Sequence, residues 1–166
     1  MRKLLIAAAV FTALAGTATL ALPATTTTTF TVTATVGASC SLGTVTNLGF
    51  GTYDPISTIN NDATTTITVT CTLLTPYNIG LNAGTTTGGT VSQRKMQGIT
   101  PANTLNYNLY SNAGHTTIWG NTIGTNTVAN TGTGIAQNHT VYGRIANGTS
   151  ANVDTYSDTI TVTVTY

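Results

Sequence analysis

The chain has 166 residues, enough for one domain once a leader is set aside. Five side chains are basic, four are acidic, and none is glutamate, so there is no basic stripe for nucleic-acid phosphates and no polybasic segment for anionic lipid. Polarity comes from Thr, Asn, Ser and Gly, a mixture that favours strands and turns over helices, and weak self-repulsion favours association.

Met1-Arg2-Lys3 is a short positive head, and Leu4 to Leu14 is an apolar run that ends in small residues. It is too short to span a bilayer, which takes about 20 residues, and has the anatomy of a secretory signal peptide. A retained membrane anchor is the competing reading. Cleavage is expected after Ala21 or Ala24, with Ala15 as the earlier option, so residues 1–24 read as leader and the protein as exported. Without Arg2 and Lys3, the basic residues Arg94, Lys95 and Arg144 face Asp54, Asp62, Asp154 and Asp158.

The stretch TTTTTFTVTATVGASC follows at residues 25–40. Five threonines lead into Phe30, Val32, Ala34 and Val36, which alternate with Thr31, Thr33 and Thr35. That is the period of a half-buried strand. Cys40 and Cys71 are the only cysteines. In an exported chain an even pair reads as one disulfide. A metal site is the other reading, and it has neither a Cys-x-x-Cys pair nor a nearby histidine.

Further along, Ile67, Val69, Cys71 and Leu73 alternate with threonines. Tyr77, Ile79 and Leu81 continue after Pro76, and Leu105, Tyr107 and Leu109 alternate with Asn106 and Asn108. Val141 and Ile145 flank Gly143. Ile160, Val162, Val164 and Tyr166 complete the series. NAGTTTGGT (82–90) and ANTGTGIAQN (129–138) read as turn-rich connections, and SQRKMQG (92–98) as an exposed basic loop. No stretch has a sustained 3.6-residue period. The fold class expected is all-β, a Greek-key, immunoglobulin-like antiparallel sandwich without an internal linker.

The last alternating segment has no candidate strand after it to cover its edge, and an uncovered apolar edge is a liability that soluble proteins avoid. The unassigned strand is at the other end, at residues 29–36. Either it pairs within its own domain, or the domain is incomplete and the strand serves a neighbour.

VYGRIANGTSANVDTYSDTITVTVTY (141–166), LNYNLYSNAGHTTIWG (105–120) and ASCSLGTVTNLGFGTYDP (38–55) together resemble the spore coat protein U domain family. That family also builds the archaic, Csu-type chaperone–usher pilins. The resemblance runs in order through the whole mature chain, with Asn112 where an Asp is common and a less Pro/Gly-rich loop at 147–154. It implies an incomplete immunoglobulin-like sandwich completed by a donor strand from a neighbouring subunit. On that basis residues 25–36 are a donor-strand extension with Phe30, Val32, Ala34 and Val36 as donor side chains. Residues 37–166 are the pilin domain, with Ile160, Val162, Val164 and Tyr166 as the acceptor-groove edge strand. The implied partners are other copies of the chain or related pilins, a periplasmic chaperone whose basic residues hold the Tyr166 carboxylate, and an outer-membrane usher. The implied setting is a cell-surface pilus for adhesion and biofilm formation.

No catalytic constellation stands out. His115 and His139 read as surface histidines in Gly/Asn-rich loops, and the four aspartates as turn and capping residues. There is no nucleophile elbow, no phosphate loop, no metal cluster and no implied cofactor. Asn138-His139-Thr140 and Asn147-Gly148-Thr149 match glycosylation acceptors, as chance allows in so Asn- and Thr-rich a chain. Trp119 reads as a core anchor. Two alternatives to a pilin are a secreted spore-coat or matrix sandwich with a self-paired N-terminal strand, and a carbohydrate-binding module reading sugars through Trp119 and Tyr110.

Overall fold

A computed structural model describes residues 22–166. Residues 1–21, and with them nearly all of the expected leader, lie outside the described residues. The chain divides after Thr35 into two units, each described by itself. In the first, residues 22–35 enter no strand, and the side chains of Phe30, Val32 and Ala34 are exposed.

The second unit carries nine strands and, among the described residues, no helix: β1 (Cys40–Leu42), β2 (Asn61–Cys71), β3 (Pro76–Leu81), β4 (Arg94–Gly98), β5 (Thr104–Tyr110), β6 (Val128–Thr131), β7 (Ala136–Ile145), β8 (Tyr156–Ser157) and β9 (Val162–Thr165). They form two antiparallel sheets, β1-β2-β7-β5-β4-β8 and β6-β3-β9. This is the all-β, immunoglobulin-like sandwich expected of the alternating segments.

The large sheet rests on the β2–β7 ladder, which runs unbroken from Asn61↔Ile145 to Thr70↔Ala136. Threonines occupy most of the outward parity of β2, and Asn138, Thr140, Tyr142 and Arg144 that of β7, next to Ile67, Val69, Cys71, Val141 and Ile145, which point inward. Burial therefore follows the period of two. Across from them, Tyr77, Ile79 and Leu81 of β3 supply the other side of the core. Each such side chain, fully buried, stabilises by about 1.5–3 kcal/mol. Cys40 stands opposite Cys71 in the β1–β2 register, and the two form a disulfide.

Trp119 is 1% exposed, and its indole Nε1 donates to the Ile79 carbonyl at 2.8 Å. It is a core anchor that joins the two sheets, so it offers no face for stacking a sugar.

Several sequence expectations give way. Leu73 is not the last residue of a strand: β2 ends at Cys71, Leu73 is exposed, and Leu74 turns the chain with φ 63°. The stretch 129–138 holds most of β6 and the start of β7, where Gly132 approaches the Cys71–Thr72 backbone more closely than any side chain allows.

The basic stretch 92–98 is strand β4 rather than an exposed loop. Arg94 points inward from it with 0% exposure. Its guanidinium donates to the carbonyls of Leu81 (3.1 Å), Asn82 (2.8 Å), Val91 (3.2 Å) and Trp119 (2.7 Å), and to Asn108 Oδ1 (2.9 Å). Five acceptors in planar array are what a guanidinium needs to be buried without a carboxylate in direct contact. Burial lowers its pKa, and Tyr107 and Asp158 partly offset that.

His115 is also not a surface residue. Its loop folds back at φ 52°, and its side chain is only 7% exposed. The ring packs edge-on against Tyr110 and Tyr142, with Nε2 3.8 Å from Asp62 Oδ1. Asp62 in turn is a strand residue, not a turn residue. It receives a two-pronged contact from Arg144, at 2.7 Å on each oxygen, which holds its carboxyl below the usual range. Asp54 does make the expected turn, accepting the Ile56 N–H at 3.0 Å.

Candidate functional site

The two sheets do not close over the core on every side. The small sheet ends at β9, whose one ladder is with β3, from Asn78↔Thr165 to Leu81↔Val162. The other side of β9 is a sheet edge, a row of backbone N–H and C=O groups without a ladder partner among the described residues. Next to that edge the core is open in a cavity of about 570 Å³.

The floor of this groove is the core itself: Ile67, Leu81, Tyr107, Leu109 and Val141. One wall is Tyr156 to Ile160 together with Val162, on the approach to β9. The opposite wall is Val45 to Leu48 with Phe50, in a stretch between β1 and β2 that enters no ladder. A second cavity of about 650 Å³ continues the groove past Phe50, Met96 and Tyr156 towards Tyr53, Leu105, Ile145 and Ala151.

Side chains hold the opposite wall in place. Gly43 N–H still bonds the Thr68 carbonyl at 2.8 Å, extending β1 by one step. Beyond it, the Thr65 hydroxyl donates to the Thr46 carbonyl, and Leu48 and Phe50 lie over Gly143 of β7. A Cβ on Gly143 would stand 2.9–3.0 Å from those side chains, so the glycine makes room for the wall. Phe50 meets Tyr107 edge to face at 6.0 Å. Tyr53 OH then hooks the Ala146 and Thr149 carbonyls, both at 3.0 Å.

The residues expected at the site are placed as follows. Ile160, Val162 and Val164 are half-buried against the core, and the first two line the groove. Tyr166 lies past the end of β9 and is 59% exposed. Phe30, Val32, Ala34 and Val36 are exposed, at 87%, 81% and 85% for Phe30, Val32 and Val36. The sequence reading missed the 44–53 wall, although Leu48-Gly-Phe50 carries the period of two in miniature. It also missed Tyr107 and Asp158, whose hydrogen bond at 2.7 Å runs from floor to wall.

The titrating groups around the groove are set by burial and by local hydrogen bonds. Burial, and then the hydrogen bond to Asp158, push the Tyr107 phenol well above its ordinary range. Below the groove's far end, Asp154 accepts from Asn103 Nδ2 (2.9 Å) and Thr100 N–H (3.0 Å), which pull its carboxyl down to about 2. His139 is not a free surface histidine: its Nε2 meets the Tyr77 hydroxyl at 2.9 Å, and burial lowers its pKa. Among the described residues no cluster of His, Cys, Asp or Glu could hold a metal ion.

Residues 26–163 match the Spore Coat Protein U domain. The chain is 35% identical to "Protein U" of Myxococcus xanthus over 142 residues, which span 78% of this chain and 79% of that relative. Among solved structures it resembles the CsuC–CsuE chaperone–tip adhesion subunit pre-assembly complex from the archaic chaperone–usher Csu pili of Acinetobacter baumannii. The TM-score is 0.54 with 24% identity, over 80% of this chain and 40% of the matched one, so this likeness is one of fold.

Proposed function

The chain belongs to the Spore Coat Protein U domain family, and from that premise we propose that it is a structural subunit of an archaic chaperone–usher pilus, polymerised by donor-strand complementation. One observation carries the proposal: an uncovered sheet edge stands beside an open groove floored by the hydrophobic core, in a chain that also presents an exposed alternating segment, Phe30 to Val36. An extended peptide added to a sheet edge takes affinity from main-chain hydrogen bonds and specificity from alternate side chains in pockets.

In this reading Phe30, Val32, Ala34 and Val36 enter the groove of a neighbouring copy or a related pilin, along the edge formed by Ile160, Val162, Val164 and Tyr166. Burial of Phe30, Val32 and Val36 stabilises by about 1.5–3 kcal/mol each, with less from Ala34. Thr31, Thr33 and Thr35 face outward and keep the strand soluble before capture. A periplasmic chaperone, such as the one in the solved Csu complex, fills the groove first and holds the Tyr166 carboxylate. An outer-membrane usher then exchanges it for the next subunit's extension. Residues 1–24 direct export, and the fibre serves adhesion and biofilm formation at the cell surface. The exposed extension suits a polymerising, structural subunit without enzymatic chemistry.

The test is deletion of residues 25–36 in cells that express the chaperone and usher. The truncated subunit is expected to co-purify with chaperone and to form no detergent-resistant ladders; ladders of normal length would sink the donor assignment. The family's description as a spore coat domain favours a second reading, a secreted coat or matrix protein whose residues 29–36 pair within their own domain. That reading predicts a stable, soluble monomer made without any chaperone.

A further inference from the structure

The groove wall at residues 156–162 is where the chain leaves one sheet for the other. β8 pairs with β4 in the large sheet, and β9 pairs with β3 in the small one. The residues between them, 158–161, lie outside both ladders, and polar side chains hold them instead. Asp158 Oδ1 accepts the N–H groups of Thr85 (2.8 Å) and Thr86 (3.3 Å), their hydroxyls (3.2 and 3.3 Å), and the N–H of Thr159 (2.9 Å). Asp158 Oδ2 accepts the Tyr107 hydroxyl at 2.7 Å. The carboxylate therefore ties wall, floor and the 82–90 loop together at one point.

A second tie reinforces it. Asn82 Oδ1 accepts the N–H of Thr161 (2.9 Å) and of Gly84 (3.1 Å), and Asn82 N–H donates to the Thr161 carbonyl (3.2 Å). Buried Arg94 holds the Asn82 carbonyl. The 82–90 loop is shaped around the carboxylate: Gly84 has φ +89°, and a Cβ there would run into Asp158.

We propose that Asp158 is a positioning residue for donor capture: its carboxylate fixes Thr159 to Thr161 so that the wall keeps an open, extended backbone beside the groove. This rests on the donor-strand reading above. An incoming strand gains only the surplus after the wall has been ordered, so a wall already fixed by the protein captures faster and releases more slowly. Charge matters because a carboxylate accepts several donors at once, whereas the amide of asparagine offers one acceptor oxygen.

The test uses the full chain refolded with a labelled synthetic peptide of residues 25–36, followed by a chase with unlabelled peptide. Asp158→Asn is expected to release the label about tenfold faster than the unaltered chain. In the same complex, hydrogen exchange is expected to quicken at residues 159–163 and to stay unchanged along β2 and β7. Tyr107→Phe removes one bond to the carboxylate and keeps the ring; it is expected to move both readouts the same way by less, and it stands in if Asp158→Asn does not fold. Asp62→Asn, on the outer face of the large sheet, is the control. Release within about twofold of the unaltered chain in both variants, or faster exchange spread equally over β2 and β7, overturns the proposal. Failure of the unaltered chain to capture the peptide overturns the donor-strand reading itself, and the role of Asp158 with it.

Discussion

The two sheets of this sandwich are held by different means. In the large sheet, β2 and β7 pair along their whole length, β1 is stapled to β2 by the Cys40–Cys71 disulfide, and the outward parity is mostly threonine on β2 and mixed on β7, with the Asp62–Arg144 pair at one end. In the small sheet, β9 has a ladder on one side only, and its approach is fixed by Asp158 and Asn82 side chains. The contrast separates two tasks. Stability is concentrated where the backbone is fully paired, and the open side keeps a paired core beneath an unpaired edge.

The most damaging change should strike the residue that both sheets share. Arg94→Ala leaves the carbonyls of Leu81, Asn82, Val91 and Trp119 without their donor, and each buried acceptor left unpaired costs about 1–3 kcal/mol. The expected outcome is loss of recoverable folded protein, measured as soluble yield and as a cooperative thermal transition. A variant that unfolds with a near-normal midpoint would mean that Arg94 is not a shared support. Next in size, Cys40→Ser with Cys71→Ser removes a cross-link with a sequence separation of 31 and should lower stability by roughly 3–4 kcal/mol in denaturant unfolding. The contrast between sheets is sharpened if peptide release by the refolded variant stays unchanged while that stability falls.

Much of the paired side was legible in the residues. β2, β3, β5 and β7 carry large apolar side chains on one parity, and a strand buried on one face has no other way to be written. The cysteine pair was legible for a different reason, because an even pair in a chain read as exported points to one disulfide. β4 was not, because RKMQG looks like a solvated loop. Only the acceptors brought to it from Leu81–Asn82, Asn108 and Trp119 explain why its arginine is inside. β6 is four residues at a sheet edge, too short for a period to show. Of the groove, the edge at Ile160 to Val164 was legible as alternation. The 44–53 wall enters no ladder, so it has no sustained period to be read from. Asp158 was missed because a carboxylate beside threonines reads as a turn residue until its hydroxyl partner, Tyr107, is brought from another strand.

A smaller effect belongs to the outer face of the large sheet. The Asp62–Arg144 pair is partly exposed, with 43% and 26% of the side chains accessible. Asp62→Asn should cost at most about 1 kcal/mol, and less as salt is raised. A larger, salt-insensitive loss would mean that the pair also holds the His115 loop against β2 and β7, since Asp62 stands beside that ring.

The smallest effect is expected where the two sheets touch through a titrating group. His139 of β7 and Tyr77 of β3 share a hydrogen bond of 2.9 Å, and burial lowers the histidine below its ordinary pKa of 6.5. The neutral ring is therefore the folded form, and the unfolded chain binds the extra proton first as pH falls. This contribution to stability is complete above about pH 6.5 and is lost as pH falls through the lowered folded value. Asp62 and Asp154, whose folded carboxyls are also lowered, act in a separate window that opens only as their unfolded value of 3.8 is approached. Denaturant midpoints measured between pH 7.5 and pH 5 should thus decline for the unaltered chain and stay flatter for His139→Gln, whose amide can still meet the Tyr77 hydroxyl. Parallel profiles for the two would place the acid sensitivity elsewhere and leave the junction between the sheets indifferent to pH.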